Sequence, residues 1–165
     1  MEDWKPRIAV YLPGEVHQNR LGPIVDIFTA GEETYIAYGA LAGVVLCDRQ
    51  LHYIRTLRIQ EAFPSREEAS IGHVQGLRCT TDKEGAKITA WSEKQAAIWK
   101  LKGEKGSTTN PSIWSSITVE QDINYVEYRE NHLVIGSDEG VQVYKNKGDK
   151  DVPAWSVSQT LFVSF

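Results

Sequence analysis

The chain has 165 residues, of which 41% are apolar and 24% charged, with 18 basic and 22 acidic side chains for a formal charge of −4. That balance excludes a largely disordered chain and lacks the basic footprint of a nucleic-acid binder. The longest stretch without a polar side chain, Ala40 to Cys47, is far shorter than the ~20 residues of a membrane helix.

The predicted elements are almost all strands. Short apolar or alternating runs recur between Gly, Pro, Asn and Asp, the pattern of half-buried strands and tight turns. In chain order they are an N-terminal run at about 8–12, then Ile24 to Phe28, Tyr35 to Tyr38, Val44 to Cys47 and Tyr53 to Ile59. Leu77 to Thr80, Ile88 to Trp91, Ile113 to Val119 and Tyr125 to Tyr128 follow. The last are His132 to Ile135, Val141 to Tyr144 and Trp155 to Val163. Helix signals are few: a turn around Arg66 to Ala69, and Glu93 to Lys102, whose residues are good helix formers.

An internal repeat decides the second case. Tyr38 to Asp48, Ala90 to Lys100 and Ile135 to Lys145 align as strand, small residue, turn and strand. Cys47, Trp99 and Tyr144 fall in equivalent places, separated by 52 and 45 residues, close to the ~40–50-residue period of a four-stranded blade. Gly39 and Gly43 match Gly136 and Gly140, as a turn with positive φ would require. Each hairpin has an apolar run before it and an alternating run after it. Ala96 to Trp99 therefore reads as a strand despite its propensity.

With these residues in view, the chain resembles a degenerate WD40-type β-propeller from about residue 24 to 162. Gly72-His73 is similar to the family's Gly-His dipeptide, and Trp99-Lys100 stands where the family carries Trp-Asp. Cys47-Asp48 keeps the aspartate, Tyr144-Lys145 keeps an aromatic, and Ser137 to Gly140 loosely matches the Ser-x-Asp-Gly turn. The citron-homology type found in vesicle-tethering proteins is a similar, more divergent resemblance. The fold expected is all-β, a single domain over 1–165 with three four-stranded antiparallel blade-like units of a partial propeller. The units run at about 22–60, 72–120 and 121–162. A single antiparallel barrel or sandwich is the alternative.

Chemistry is sparse. His17, His52, His73 and His132 stand at no metal-ligand spacing, so the sequence predicts no metal and no cofactor. No nucleophile elbow or complete phosphate loop is present, and no catalytic residue is assigned. The resemblance gives His73 a structural role, alongside Gly39, Gly43, Trp99, Gly136 and Gly140. The binding candidates are the turn residues Leu41, Trp91, Glu93, Lys94, Asp138 and Glu139. Trp91 replaces the glycine of the other two units, so either it is partly exposed and available as an interface anchor, or it fills the gap left by a degenerate blade.

The function this implies is a protein-interaction scaffold that binds a protein or peptide partner, one with a basic surface, through strand-connecting turns. A small-ligand or enzymatic barrel or propeller, and an RNA- or DNA-associated scaffold subunit, are the alternatives. The two cysteines, the absence of a secretory pattern behind Met1 to Arg7 and the proline that blocks Asn110-Pro111-Ser112 predict an intracellular protein. No membrane insertion is expected. Closed propellers have four to eight blades. Three units are therefore expected to belong to a longer propeller or to close by homo- or hetero-association.

Overall fold

Strands joined by tight turns pair first with their sequence neighbours, because closing a short loop costs the least entropy. The computed structural model, which describes residues 18–19, 22–40, 43–65, 71–101 and 110–162, shows this pairing three times over. A minimal ladder of β1 (Gln18–Asn19) and β2 (Gly22–Pro23) precedes the sheets. Unit 1 is a four-stranded antiparallel meander of β3 (Val25–Ala30), β4 (Glu33–Ala40), β5 (Gly43–Asp48) and β6 (Tyr53–Leu57). Unit 2 consists of β7 (Gly76–Asp82), β8 (Gly85–Trp91), β9 (Gln95–Leu101) and β10 (Ser112–Thr118). Unit 3 consists of β11 (Ile123–Arg129), β12 (His132–Ser137), β13 (Gly140–Asn146) and β14 (Trp155–Phe162). A short 3₁₀ turn at Ile59–Ala62 leaves unit 1. No sheet is closed into a barrel, so the single-barrel alternative is not the fold formed. The expected strand at 8–12 and the helical turn at 66–69 lie outside the described residues.

The repeat register holds residue by residue. Gly39 pairs with Val44, Trp91 with Ala96 and Gly136 with Val141. Ile36 pairs with Cys47, Ile88 with Trp99 and Leu133 with Tyr144. The helix formers of 95–101 become strand β9 because both sides of that segment are occupied by ladder partners and Ala96 to Trp99 are buried. Tertiary burial overrides local propensity here.

The matched glycines divide into two kinds. Gly43 and Gly140 have φ of +140° and +144°, and a Cβ there would meet the carbonyl oxygens of Leu57 and Leu161 at 2.4 and 2.0 Å. They let the outer strand approach the turn. Gly39 and Gly136 are not in the positive-φ region. Their expected conformational role is corrected to a spatial one: they face the side chains of Ile24 and Tyr125. The β11–β12 turn instead uses Glu130 and Asn131 at φ 46° and 68°, the two-residue hairpin geometry that asparagine tolerates.

Each unit presents one face to the unit before it (trailing) and one to the unit after it (leading). The leading face of unit 1 (Val44, Leu46, Leu57) and the trailing face of unit 2 (Leu77, Ile88, Trp99, Leu101) form one core cluster. The leading face of unit 2 (Trp91, Ala96, Ile98) and the trailing face of unit 3 (Val126, Leu133, Ile135, Tyr144) form the second. A fully buried Leu or Ile contributes about 1.5–3 kcal/mol, whereas an exposed ion pair contributes under ~1 kcal/mol. These two apolar seams therefore hold the units together. Trp99 is fully buried, and its indole Nε1 has no hydrogen-bond partner among the described residues.

Candidate functional site

The first strands of the units lie side by side and run in the same direction. Asp26 Oδ2 on β3 accepts a hydrogen bond from Cys79 N–H on β7 at 2.8 Å, and Thr81 Oγ1 donates to the Thr29 carbonyl at 2.7 Å. Arg78 on β7 lies 4.0 Å from Glu127 on β11, with its guanidinium 5.9 Å from the Tyr125 ring centre. This shared direction sends the β4–β5, β8–β9 and β12–β13 turns to one end of the units. The β3–β4, β7–β8 and β11–β12 turns go to the other.

The nominated turn residues fall at the first end. Glu93 and Lys94, and Asp138 and Glu139, are exposed on adjacent units. Their backbones brace the link between those units: Glu93 O accepts Ile123 N–H at 2.6 Å and Lys94 O accepts Val119 N–H at 2.9 Å. Lys94 lies 4.0 Å from Asp122, and Asp138 accepts a hydrogen bond from Asn124 Nδ2 at 2.5 Å. Leu41 lies outside the described residues. His73 is exposed in the segment leading into β7.

Trp91 takes the second of its two expected roles. It is only 4% exposed. Its partner across the ladder is Gly76, and the indole lies over that glycine. The ring also meets Tyr125 edge-on, with centroids 6.0 Å apart. Units 1 and 3 put the large residue at the first strand, as Ile24, just before β3, against Gly39 and Tyr125 on β11 against Gly136. Unit 2 swaps the two, with Gly76 on the first strand and Trp91 on the second. Trp91 therefore fills the seam between units 2 and 3 and is not available as an exposed anchor.

The opposite end carries a feature that sequence did not reveal. A cleft of about 440 Å³ opens between Thr80, Thr81 and Asp82 of β7 and Glu127, Tyr128, Arg129 and Glu130 of β11 and its turn. Two of its lining residues, Asp82 and Tyr128, also hold Lys87, whose side chain is 2% exposed. The Lys87 ammonium sits 2.6 Å from Asp82 Oδ2, 4.9 Å from the Tyr128 ring centre and 5.3 Å from that of Trp114. Trp155 packs edge-on against both rings. The indole N–H groups are satisfied: Trp114 donates to Lys150 O and Trp155 to Ser115 Oγ, both at 2.7 Å. Burial, with the Asp82 and Glu84 carboxylates adding to it, raises the Tyr128 phenol above its ordinary pKa and keeps it a donor. Beside the cleft, Glu84 clamps Lys150 at 2.9 Å and Lys100 at 3.4 Å.

In the cleft, Asp82 is committed to Lys87 and to the Glu84 N–H, and Glu127 accepts the Tyr125 hydroxyl. The remaining capacity is rich in acceptors: the hydroxyls of Thr80 and Thr81, and the exposed Glu130. The cysteines offer no nucleophile. Burial and then Asp48 raise the Cys47 thiol, and burial and then Asp26 raise that of Cys79, so both stay protonated. Among the described residues no helix is long and apolar enough to cross a membrane.

These features define an all-β chain of three packed meander sheets with an acceptor-lined cleft between two of its inner strands. No protein-family model matches the sequence, and no curated protein matches it significantly.

Proposed function

We propose that this chain is a protein-interaction scaffold that receives a cationic, donor-rich segment of a protein partner in the cleft between β7 and β11. The observation that carries this reading is the cleft itself, of about 440 Å³ and lined by three carboxylates, two threonine hydroxyls, one tyrosine and one arginine. That volume suits a few side chains of a bound segment. Hydrogen bonds donated to ionised carboxylates are the stronger kind, so Lys or Arg side chains are the favoured occupants. The resemblance to propellers, whose rigid sheets present partners to one another, supports the same class of function.

An oligolysine peptide titrated into the isotope-labelled protein tests it. The amides of 80–82 and 127–130 should shift, and Glu130→Gln should weaken binding several-fold with the fold intact. Shifts confined to 93–94 and 138–139, or an unchanged affinity in Glu130→Gln, would refute the cleft as the site.

A further inference from the structure

The aromatic pair that fills the seam between units 1 and 2 has a different counterpart in unit 2. Ile36 and Ile88 are equivalent in the repeat register, so the residues before them, Tyr35 and Lys87, are equivalent too. Their partners across the ladder, Phe28 and Thr80, correspond in turn. Phe28 and Tyr35 are buried in the core between units 1 and 2 and stack with ring centres 5.6 Å apart. In unit 2 the same two places meet the cleft: Thr80 lines it, and Lys87 is held by Asp82 and Tyr128, which line it as well.

A lysine in this place puts a charge where unit 1 has a tyrosine. Its burial is tolerated because the ammonium has a carboxylate at 2.6 Å and two aromatic rings within 5.3 Å. Exposure gives the pair its direction. Lys87 is 2% exposed and Asp82 44%, so Lys87 compensates Asp82 from the buried side while Asp82 lines the cleft. The other Asp82 oxygen accepts the Glu84 N–H at 2.8 Å. Glu127 accepts the Tyr125 hydroxyl and has Arg78 at 4.0 Å. Of the three lining carboxylates, Glu130 is then the one whose side chain has no hydrogen bond or ion pair among the described residues.

We infer that Lys87 sets the charge selectivity of the cleft. Its fixed ammonium cancels the charge of Asp82, so an incoming segment meets Glu130 as the uncompensated carboxylate and is selected by its hydrogen-bond donors more than by its charge density. Lys87 is thus a positioning residue, which acts through Asp82 and does not itself reach the occupant. This inference rests on the reading of the cleft as the binding site. It has a consequence opposite to that of a merely structural lysine, whose loss would loosen the site and weaken binding. Without the ammonium, the Asp82 carboxylate is released and the binding of a cation tightens.

Oligolysine titrations of the full chain at ~10 mM salt, where the screening length is about 30 Å, test it. Lys87→Met keeps the buried stem and should raise the affinity at least about threefold, the effect of a unit charge ~6 Å from an ammonium even at the dielectric of water. Adding Asp82→Asn to Lys87→Met should cancel that gain, and the gain should vanish at about 1 M salt. Asp82→Asn alone leaves the ammonium uncompensated and should weaken binding by a similar factor, which decides the case if Lys87→Met proves too unstable to measure. An affinity of folded Lys87→Met equal to or below wild type, with amide shifts still at 80–82 and 127–130, would overturn this inference and leave the cleft reading standing. No shift at those amides in wild type would remove the cleft reading, and this inference with it.

Discussion

Gly76→Ala tests the swapped pair in unit 2. A Cβ at Gly76 would lie 1.9 Å from Trp91 Cζ2, 2.1 Å from Cε2 and 2.7 Å from Cη2. Ordinary contact needs at least ~3.4 Å, so the indole must retreat by more than an ångström. It is wedged in a cluster with Ala96, Ile98 and Val126 and has no room to do so. Overpacking of a rigid ring costs about 1–3 kcal/mol, and the distances place this case at the upper end. Trp91→Ala should itself cost about 3–5 kcal/mol. With the ring gone the three atoms nearest the added methyl are gone, so Gly76→Ala should cost much less in the Trp91→Ala background. Urea denaturation followed by far-ultraviolet circular dichroism measures the cycle. With a slope of about 2 kcal/mol per M, Gly76→Ala should lower the midpoint by about 1.5 M. Gly136→Ala is the control, because its Cβ would meet Tyr125 Cβ at 3.7 Å and the Tyr125 carbonyl oxygen at 4.0 Å, both ordinary contacts. A Gly76→Ala midpoint equal to wild type, or an equal loss with and without Trp91, would refute the packing account.

Three further outcomes are expected. Lys87→Met keeps the buried stem but loses the contacts of the ammonium with two rings, costing about 1–2 kcal/mol in the same assay; Asp82, 44% exposed, is not left as a buried charge. Neither Cys47 nor Cys79 should react with a thiol reagent at pH 8 until urea is added, since burial raises both thiols; rapid stoichiometric labelling of the folded chain would contradict this. The hydrogen bond and charge of Lys150, with help from Lys100, hold the Glu84 carboxyl below its ordinary value of 4.5. Its stabilising contribution is therefore present above that pH and lost as pH falls below it. The gap in denaturation midpoint between wild type and Glu84→Gln should be open at pH 7 and closed in strong acid.

The strands and their register were legible because both rest on local periodicity. The alignment of Cys47, Trp99 and Tyr144 required only that equivalent residues recur at blade spacing, and the ladders keep that spacing. The role of Trp91 stayed open because its counterpart, Gly76, sits on the preceding strand, and a one-column comparison with Gly39 and Gly136 does not show a swap between strands. The Lys87 site was invisible for a similar reason. Lys87, Trp114, Tyr128 and Trp155 come from β8, β10, β11 and β14, and no linear spacing unites them. The cleft arises from the separation of two inner strands, a property of unit docking rather than of either sequence segment.

Because every strand in the three sheets pairs only with its sequence neighbours, the chain can fold in the order in which it is made. A meander can form as soon as its four strands have left the ribosome. Its leading face then waits, uncovered, for the next ~50 residues, about 3–10 s at usual rates of synthesis. During that interval Val44, Leu46 and Leu57 of unit 1 form an apolar surface open to any hydrophobic neighbour, including a nascent copy of the same chain. The pace of translation between the first and second sheets thus sets how long that surface stays uncovered.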